Sequence, residues 1–103
     1  MSERGIDTSF SEDIIQKVWE KGSIPSEEHK NQWRKDQCTA WIYRAAHGDR
    51  NSLYGWEIHH IDPNGRDDIS NLIPLHWENN LATGDTGKLV CVVISDGNKN
   101  IKR

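Results

Sequence analysis

The stretch GWEIHHIDPNGRDDISNLIPLHWENN (Gly55–Asn80) predicts the centre of the fold and the place of a functional site. YGWEIHHI (54–61) alternates as a half-buried strand does, and DPNG (62–65) follows it as a turn. SNLIPLHW (70–77) is apolar enough for a second strand, which Pro74 keeps short or at an edge. These residues therefore predict a hairpin-like pair of strands.

A short helix is expected directly after the second strand, beginning at about His76. The sequence HWENNLATGD (76–85) has no proline and no β-branched residue before Thr83, and Gly84 offers a C-cap. Positions four apart on a helix are stacked neighbours, so His76 and Asn80 are expected on one face. The chain thus predicts two strands and a helix in succession.

Imidazole and amide groups are concentrated in these three elements, which indicates a metal site. His59 stands near the end of the first strand and is expected to supply a contact beside His76 and Asn80. His60 is the next residue along the backbone, so its ring is expected to point elsewhere and to remain free. A free imidazole beside a metal ion is a candidate general base.

The flanking sequence predicts further elements. Ser11 is expected to be the N-cap of a helix that stops before Gly22, and a second helix is expected in the ten residues after Ser26. CTAWIY (38–43) predicts a strand, and KLVCVVISDGNKNIKR (88–103) predicts a buried strand and an Asp-Gly turn.

Chain length and composition predict one modest core. The 103 residues suit a single α+β domain, 1–103, centred on the strand–strand–helix unit at about 54–84. The net charge is −3, whereas nucleic-acid-binding domains are typically strongly basic. Cys38 and Cys91 are far apart and form no Cys-x-x-Cys pair, so we expect reduced, partly buried thiols.

The sequence predicts no membrane segment. MSERGIDTSF (1–10) is polar and lacks the apolar core of a signal peptide, and LVCVVI (89–94) is too short to cross a bilayer. We therefore expect a soluble, cytoplasmic protein without a membrane partner.

The central stretch resembles the HNH nucleases, and WRKDQCTAWIYR (33–44) and GDRNSLYGW (48–56) resemble the leading region of one small HNH branch. The resemblance implies an α+β fold around a ββα-metal unit, with flanking helices and a C-terminal strand. It implies that His60 is the general base and that Asn71 is the middle asparagine. It also implies that one divalent ion is bound by His59, His76 and Asn80. Asn79 remains an alternative ligand in place of Asn80. Many relatives have aspartate at the position of His59.

The implied activity is that of a metal-dependent endonuclease, a hydrolase that cuts the phosphodiester bonds of DNA. Histidine, with an ordinary pKa of about 6.5, can accept a proton from water near neutrality. Imidazole and amide ligands are neutral, so Mg²⁺, Mn²⁺, Ni²⁺ or Zn²⁺ would keep its full charge toward the phosphate. Asn71 is expected to hold the loop near His60 through both ends of its amide.

Three arginines are the candidate phosphate contacts, namely Arg44, Arg50 and Arg66. We expect weak DNA binding with little sequence specificity, because nothing in the chain forms a separate reading domain. The alternative is a non-catalytic, metal-stabilised module that binds nucleic acid or another partner. The sequence does not indicate an oligomeric state.

Overall fold

The computed structural model describes residues 10–103 and has an α+β architecture with two helices and three antiparallel sheets of two strands each. The helices are α1 (Glu12–Trp19) and α2 (Trp77–Thr83). The strands are β1 (Trp33–Lys35), β2 (Trp41–Tyr43), β3 (Trp56–His60), β4 (Leu72–His76), β5 (Val93–Asp96) and β6 (Lys99–Lys102). Each strand pairs with its neighbour in the sequence.

Helix α1 supplies one wall of the core. It begins as predicted, because the hydroxyl of Ser11 accepts a hydrogen bond from the backbone N–H of Ile14. The buried face of α1 carries Val18 and Trp19, and the Trp19 ring lies 5.3 Å from the Trp56 ring of β3. The helix thereby packs against the central hairpin.

The predicted second helix after Ser26 does not form. Residues 27–32 make turns, and the chain enters β1, which pairs with β2 so that Trp33 faces Tyr43. The Trp33 ring lies 4.7 Å from the Tyr43 ring and 5.1 Å from the Tyr54 ring. Cross-strand aromatic contacts of this kind favour the strand over a weakly amphipathic helix.

The central hairpin β3–β4 and helix α2 form as predicted in type and order. Trp56 pairs with His76 and His60 pairs with Leu72, and the loop between the two strands closes over residues 61–71. Helix α2 follows β4 without a break, and His76 is its N-cap. Helix α2 therefore begins at the Trp56 end of the hairpin, and Asn80, in its first turn and a half, reaches back to His59 of β3.

A buried polar cluster fixes the start of α2. One carboxylate oxygen of Asp36 accepts hydrogen bonds from the backbone N–H of His76 and the side-chain amide of Asn79. Its other oxygen accepts from the backbone N–H groups of Cys38 and Ala40. Burial raises the pKa of Asp36, and these hydrogen bonds oppose the rise. Asp36 therefore ties the β1–β2 loop to α2.

The C-terminal segment is tied to the same cluster, and here the cysteine prediction is wrong. The Asn79 amide oxygen accepts hydrogen bonds from the backbone N–H groups of Val92 and Val93. This places Cys91 beside Cys38, and the two form a disulfide with Cα atoms 5.4 Å apart. The predicted C-terminal strand begins only at Val93.

Among residues 10–103, no helix is long and apolar enough to cross a membrane.

Candidate metal centre

The candidate site is built on one contact between β3 and α2. Nδ1 of His59 lies 2.9 Å from Oδ1 of Asn80, and both side chains are partly buried. The amide nitrogen of Asn80 donates to Glu57, so its oxygen faces His59 and His59 donates through Nδ1. The structure thus brings together two of the three predicted ligands.

In the metal-free protein the contact is an Nδ1–H···Oδ1 hydrogen bond, and the same separation suits two neighbouring ligands of an octahedral ion once the His59 proton has moved to Nε2. Adjacent ligands with bonds of about 2.1 Å to an ion such as Mg²⁺ are separated by about 3.0 Å. Burial lowers the pKa of His59, although the hydrogen bond to Asn80 opposes this, so the ring favours the neutral form that binds metals. In the described residues, no group of three His, Cys, Asp or Glu side chains is arranged to hold an ion. His59 and Asn80 are the two predicted ligands whose side chains meet here and could hold an ion together with water.

His76 lies away from this pair, contrary to the predicted role. His76 is opposite Trp56, whereas His59 is opposite Ile73, three residues or roughly 10 Å along the strand. Both ring nitrogens of His76 are engaged, because Nε2 donates to the Leu53 carbonyl and Nδ1 accepts from the backbone N–H of Glu78. His76 therefore caps α2 and holds a loop instead of completing the ligand set.

The alternative ligand Asn79 is also committed to the fold. Its side chain is fully buried, its nitrogen donates to Asp36 and the Val93 carbonyl, and its oxygen accepts from two backbone N–H groups. Every donor and acceptor of the amide is used in this way. The geometry favours Asn80 over Asn79 as a ligand.

His60 is paired with a carboxylate, whereas the sequence predicted a free ring. Its Nε2 donates to Oδ1 of Asp67 at 2.6 Å, and its side chain is 33% exposed. Asp67 lies in the loop that returns toward β4, so sequence spacing alone does not show this pairing. A donated Nε2–H leaves the Nδ1 lone pair of His60 as the one that can accept a proton.

Asn71 makes the loop hydrogen bonds that its predicted positional role requires. The amide oxygen of Asn71 accepts from the backbone N–H of Asp62, and the amide nitrogen donates to the carbonyls of Asp62 and Arg66. A Cβ added at Gly65 would lie 2.7 Å from that nitrogen, so the loop needs glycine there. Asn71 thus fixes the loop that carries Asp67 toward His60.

Two of the three candidate phosphate contacts are engaged within the protein. Arg44 donates to Gln16 of α1 and lies over the Trp56 ring at 5.8 Å. Arg50 pairs with the Glu57 carboxylate at 2.6 Å. Arg66 is exposed in the loop after His60.

Glu57 is the residue of the site that sequence reasoning missed. Its side chain is fully buried and contacts both Arg50 and Asn80. A glutamate in an alternating strand is normally interpreted as solvent-facing. The available signal was its position two residues before His59, which puts both side chains on the same face of β3.

Burial of His76 predicts a pH-dependent stability. Burial lowers the pKa of His76, so the unfolded chain binds a proton at about pH 6.5 while the folded chain does not. We expect the free energy of unfolding to fall as the pH falls below 6.5, by at most about 1.4 kcal/mol per pH unit for this residue. Urea denaturation between pH 7.5 and 5.5 measures the slope. His76→Asn keeps a capping acceptor and should make the slope shallower, while the lowered pKa of His59 keeps its own part of it. An unchanged slope would show that His76 is not a source of it.

Comparison with protein-family models, curated proteins and solved structures finds no match.

Proposed function

We propose that the protein is a metal-dependent endonuclease of the HNH type that hydrolyses DNA phosphodiester bonds. The observation that carries the proposal is the 2.9 Å contact between His59 and Asn80, which joins β3 to α2. Beside it on the strand stands His60, a second imidazole held by a carboxylate. A cation site supplies positive charge to the reacting phosphate and an adjacent histidine supplies a base, which are two parts of metal-assisted hydrolysis.

His60 acts as the general base through Nδ1. Asp67 accepts the Nε2 proton and fixes the ring, which is the arrangement in which a base is oriented by a third group. Asn71 supports this pair indirectly, because it holds the loop that carries Asp67. Water that attacks a phosphate would lose its proton to Nδ1.

His59 and Asn80 would hold the divalent ion. When bound, the ion supplies positive charge to the phosphate as negative charge develops on it. A pair of neutral protein ligands with water in the remaining positions suits Mg²⁺ or Mn²⁺, which keep several waters. Zn²⁺ and Ni²⁺ also accept imidazole ligands, so all four ions belong in the test.

The substrate class follows from the surroundings of the site. Arg66 is exposed on the loop next to His60 and can bind a phosphate oxygen. Arg44 and Arg50 are paired within the protein, and the net charge is −3, so binding rests on few phosphate contacts. We propose weak binding with little sequence preference.

Plasmid nicking tests the proposal. Supercoiled DNA should be converted to the open circle when Mg²⁺, Mn²⁺, Ni²⁺ or Zn²⁺ is added, and excess chelator should stop the conversion. His59→Ala should lower the rate by roughly 100-fold, because it removes one of two ligands. The exposed His29→Ala is the matched control and should behave as the wild type. Nicking that survives chelation contradicts the metal-dependent mechanism.

Cleavage assays combined with thermal melting distinguish the nuclease from the non-catalytic alternative. A protein whose melting temperature rises with the ion, yet which cleaves neither duplex DNA, single-stranded DNA nor RNA, would be a metal-stabilised binding module.

A further inference from the structure

The surroundings of Asn80 contain an ion pair between the buried carboxylate of Glu57 and Arg50, whose side chain is 40% exposed, and the hydrolysis itself does not use it. Glu57 has a fully buried side chain on β3, two residues from His59 and on the same face. Arg50 donates to both of its oxygens, at 2.6 Å and 3.0 Å. One of these oxygens also accepts a hydrogen bond of 2.9 Å from the amide nitrogen of Asn80.

Stability alone does not account for this pair. Burying the Glu57 carboxylate removes one charge from water at a cost of several kcal/mol, and an apolar residue of the same size often stabilises a protein as well or better. A buried carboxylate at this position is therefore better explained by what it does to its third partner. That partner is Asn80, the α2 residue in contact with His59.

The chemistry of the amide shows what the carboxylate does. An asparagine side chain has an acceptor end and a donor end, and only the oxygen binds a cation. A carboxylate can only accept, so Glu57 has to take the Nδ2–H of Asn80. This leaves Oδ1 directed at His59. With the amide reversed, the amino group would face the ion and would repel it.

We infer that Glu57 is a positioning residue that fixes the amide of Asn80 with its oxygen toward the ion, while Arg50 holds the carboxylate in place. The inference rests on the proposed metal site and adds a function for two residues outside the ligand set. Arg50 thereby acts inside the protein instead of on the phosphate.

Metal affinity measures the effect of Glu57. Titration of the folded protein with Mn²⁺, followed by the electron paramagnetic resonance of the free ion, gives the dissociation constant without any substrate. Glu57→Gln should weaken binding by roughly 10- to 100-fold, the usual effect of removing a group that orients a metal ligand. Glutamine has both a donor and an acceptor end, so it no longer dictates which end of Asn80 faces His59.

Glu78→Gln is the matched control for this titration. Glu78 lies on the same helix as Asn80, and its carboxylate pairs with Lys102 at the surface. The substitution removes the same charge from the protein without touching the Asn80 amide. Its Mn²⁺ affinity should stay within about twofold of the wild type, because the charge of Glu78 is already paired with that of the exposed Lys102 and lies outside the His59–Asn80 contact.

The tautomer of His59 in the metal-free protein provides a second readout, which a purely structural role of Glu57 would not move. At about pH 8, well above the ordinary pKa of histidine, ¹⁵N NMR should show the proton on Nδ1 in the wild type. In Glu57→Gln a fraction of His59 should change to the Nε2–H form. If the wild type already carries the proton on Nε2, the Asn80 amino group faces His59 and the inference is wrong, even if the variant fails to fold.

The outcomes distinguish the inference from the proposed function. Wild-type protein that binds Mn²⁺, together with a Glu57→Gln variant of equal affinity, overturns the positioning role and leaves the metal site intact. Wild-type protein that binds none of the ions overturns both.

Discussion

Replacing His60 by alanine is expected to lower the rate of plasmid nicking by about 10²- to 10⁴-fold, the contribution typical of a general base. The substitution removes the ring whose Nε2 is held by Asp67 and whose Nδ1 would accept the proton from water. His60 lies outside the His59–Asn80 contact, so Mn²⁺ affinity should be unchanged. Nicking rates and Mn²⁺ titrations on the same preparation measure the two quantities.

Asp67, which holds the His60 ring, can be replaced in the same nicking experiment and should give a smaller effect. Asp67→Asn should slow nicking by a smaller factor than His60→Ala, because the base remains but its ring is held less firmly. Asp68→Asn is the matched control, since Asp68 is the neighbouring exposed carboxylate and its side chain makes no capping hydrogen bond. Full activity of His60→Ala would remove this residue as the base, whatever Asp67→Asn does.

Loss of the disulfide is expected to cost about 4 kcal/mol of unfolding free energy, the entropic value for a cross-link between residues 53 positions apart. For a domain of this size, that corresponds to a fall in melting temperature of more than about 15 °C. The double variant Cys38→Ala/Cys91→Ala and the wild type in reductant should show the same loss. Urea denaturation of oxidised, reduced and variant protein provides the comparison.

The double variant also serves as the control for the reductant. Reductant should not change its stability further, because it has no bond left to break. A reduced wild type that is as stable as the oxidised one would show that Asp36 and Asn79 hold the C-terminal segment without the covalent link.

Most of the central fold was predictable from local pattern. The strand β3, the DPNG turn, the capping signal at Ser11 and the short helix after β4 all form as expected. These features depend on contacts between residues close in sequence. The predicted alternation of β3 is wrong, because Trp56, Glu57 and Ile58 are all buried. The second helix failed because Trp33 gains aromatic partners from β2 and from Tyr54, which no local pattern shows.

The site was predictable in part, for a related reason. His59 and Asn80 meet as expected because the strand–strand–helix order brings them together. His76 was assigned wrongly because it precedes the helix: its backbone is at φ −50° and ψ 141°, so the four-residue spacing to Asn80 does not put the two on one face. The Arg50–Glu57 pair and the Cys38–Cys91 bond depend on tertiary contacts, which spacing does not reveal.

The buried cluster of Asp36 and Asn79 has a consequence for how this sequence can evolve. Asp36 and Asn79 are hydrogen-bonded to each other and to backbone groups of separate segments. Replacing one of them therefore leaves buried polar groups without a hydrogen-bond partner. Apolar pairs tolerate stepwise drift, whereas these two positions are energetically coupled and should change together or not at all. Homologous chains should therefore either keep the acid and the amide as a pair or lack both, and that covariation would mark descent even where the rest of the sequence has diverged.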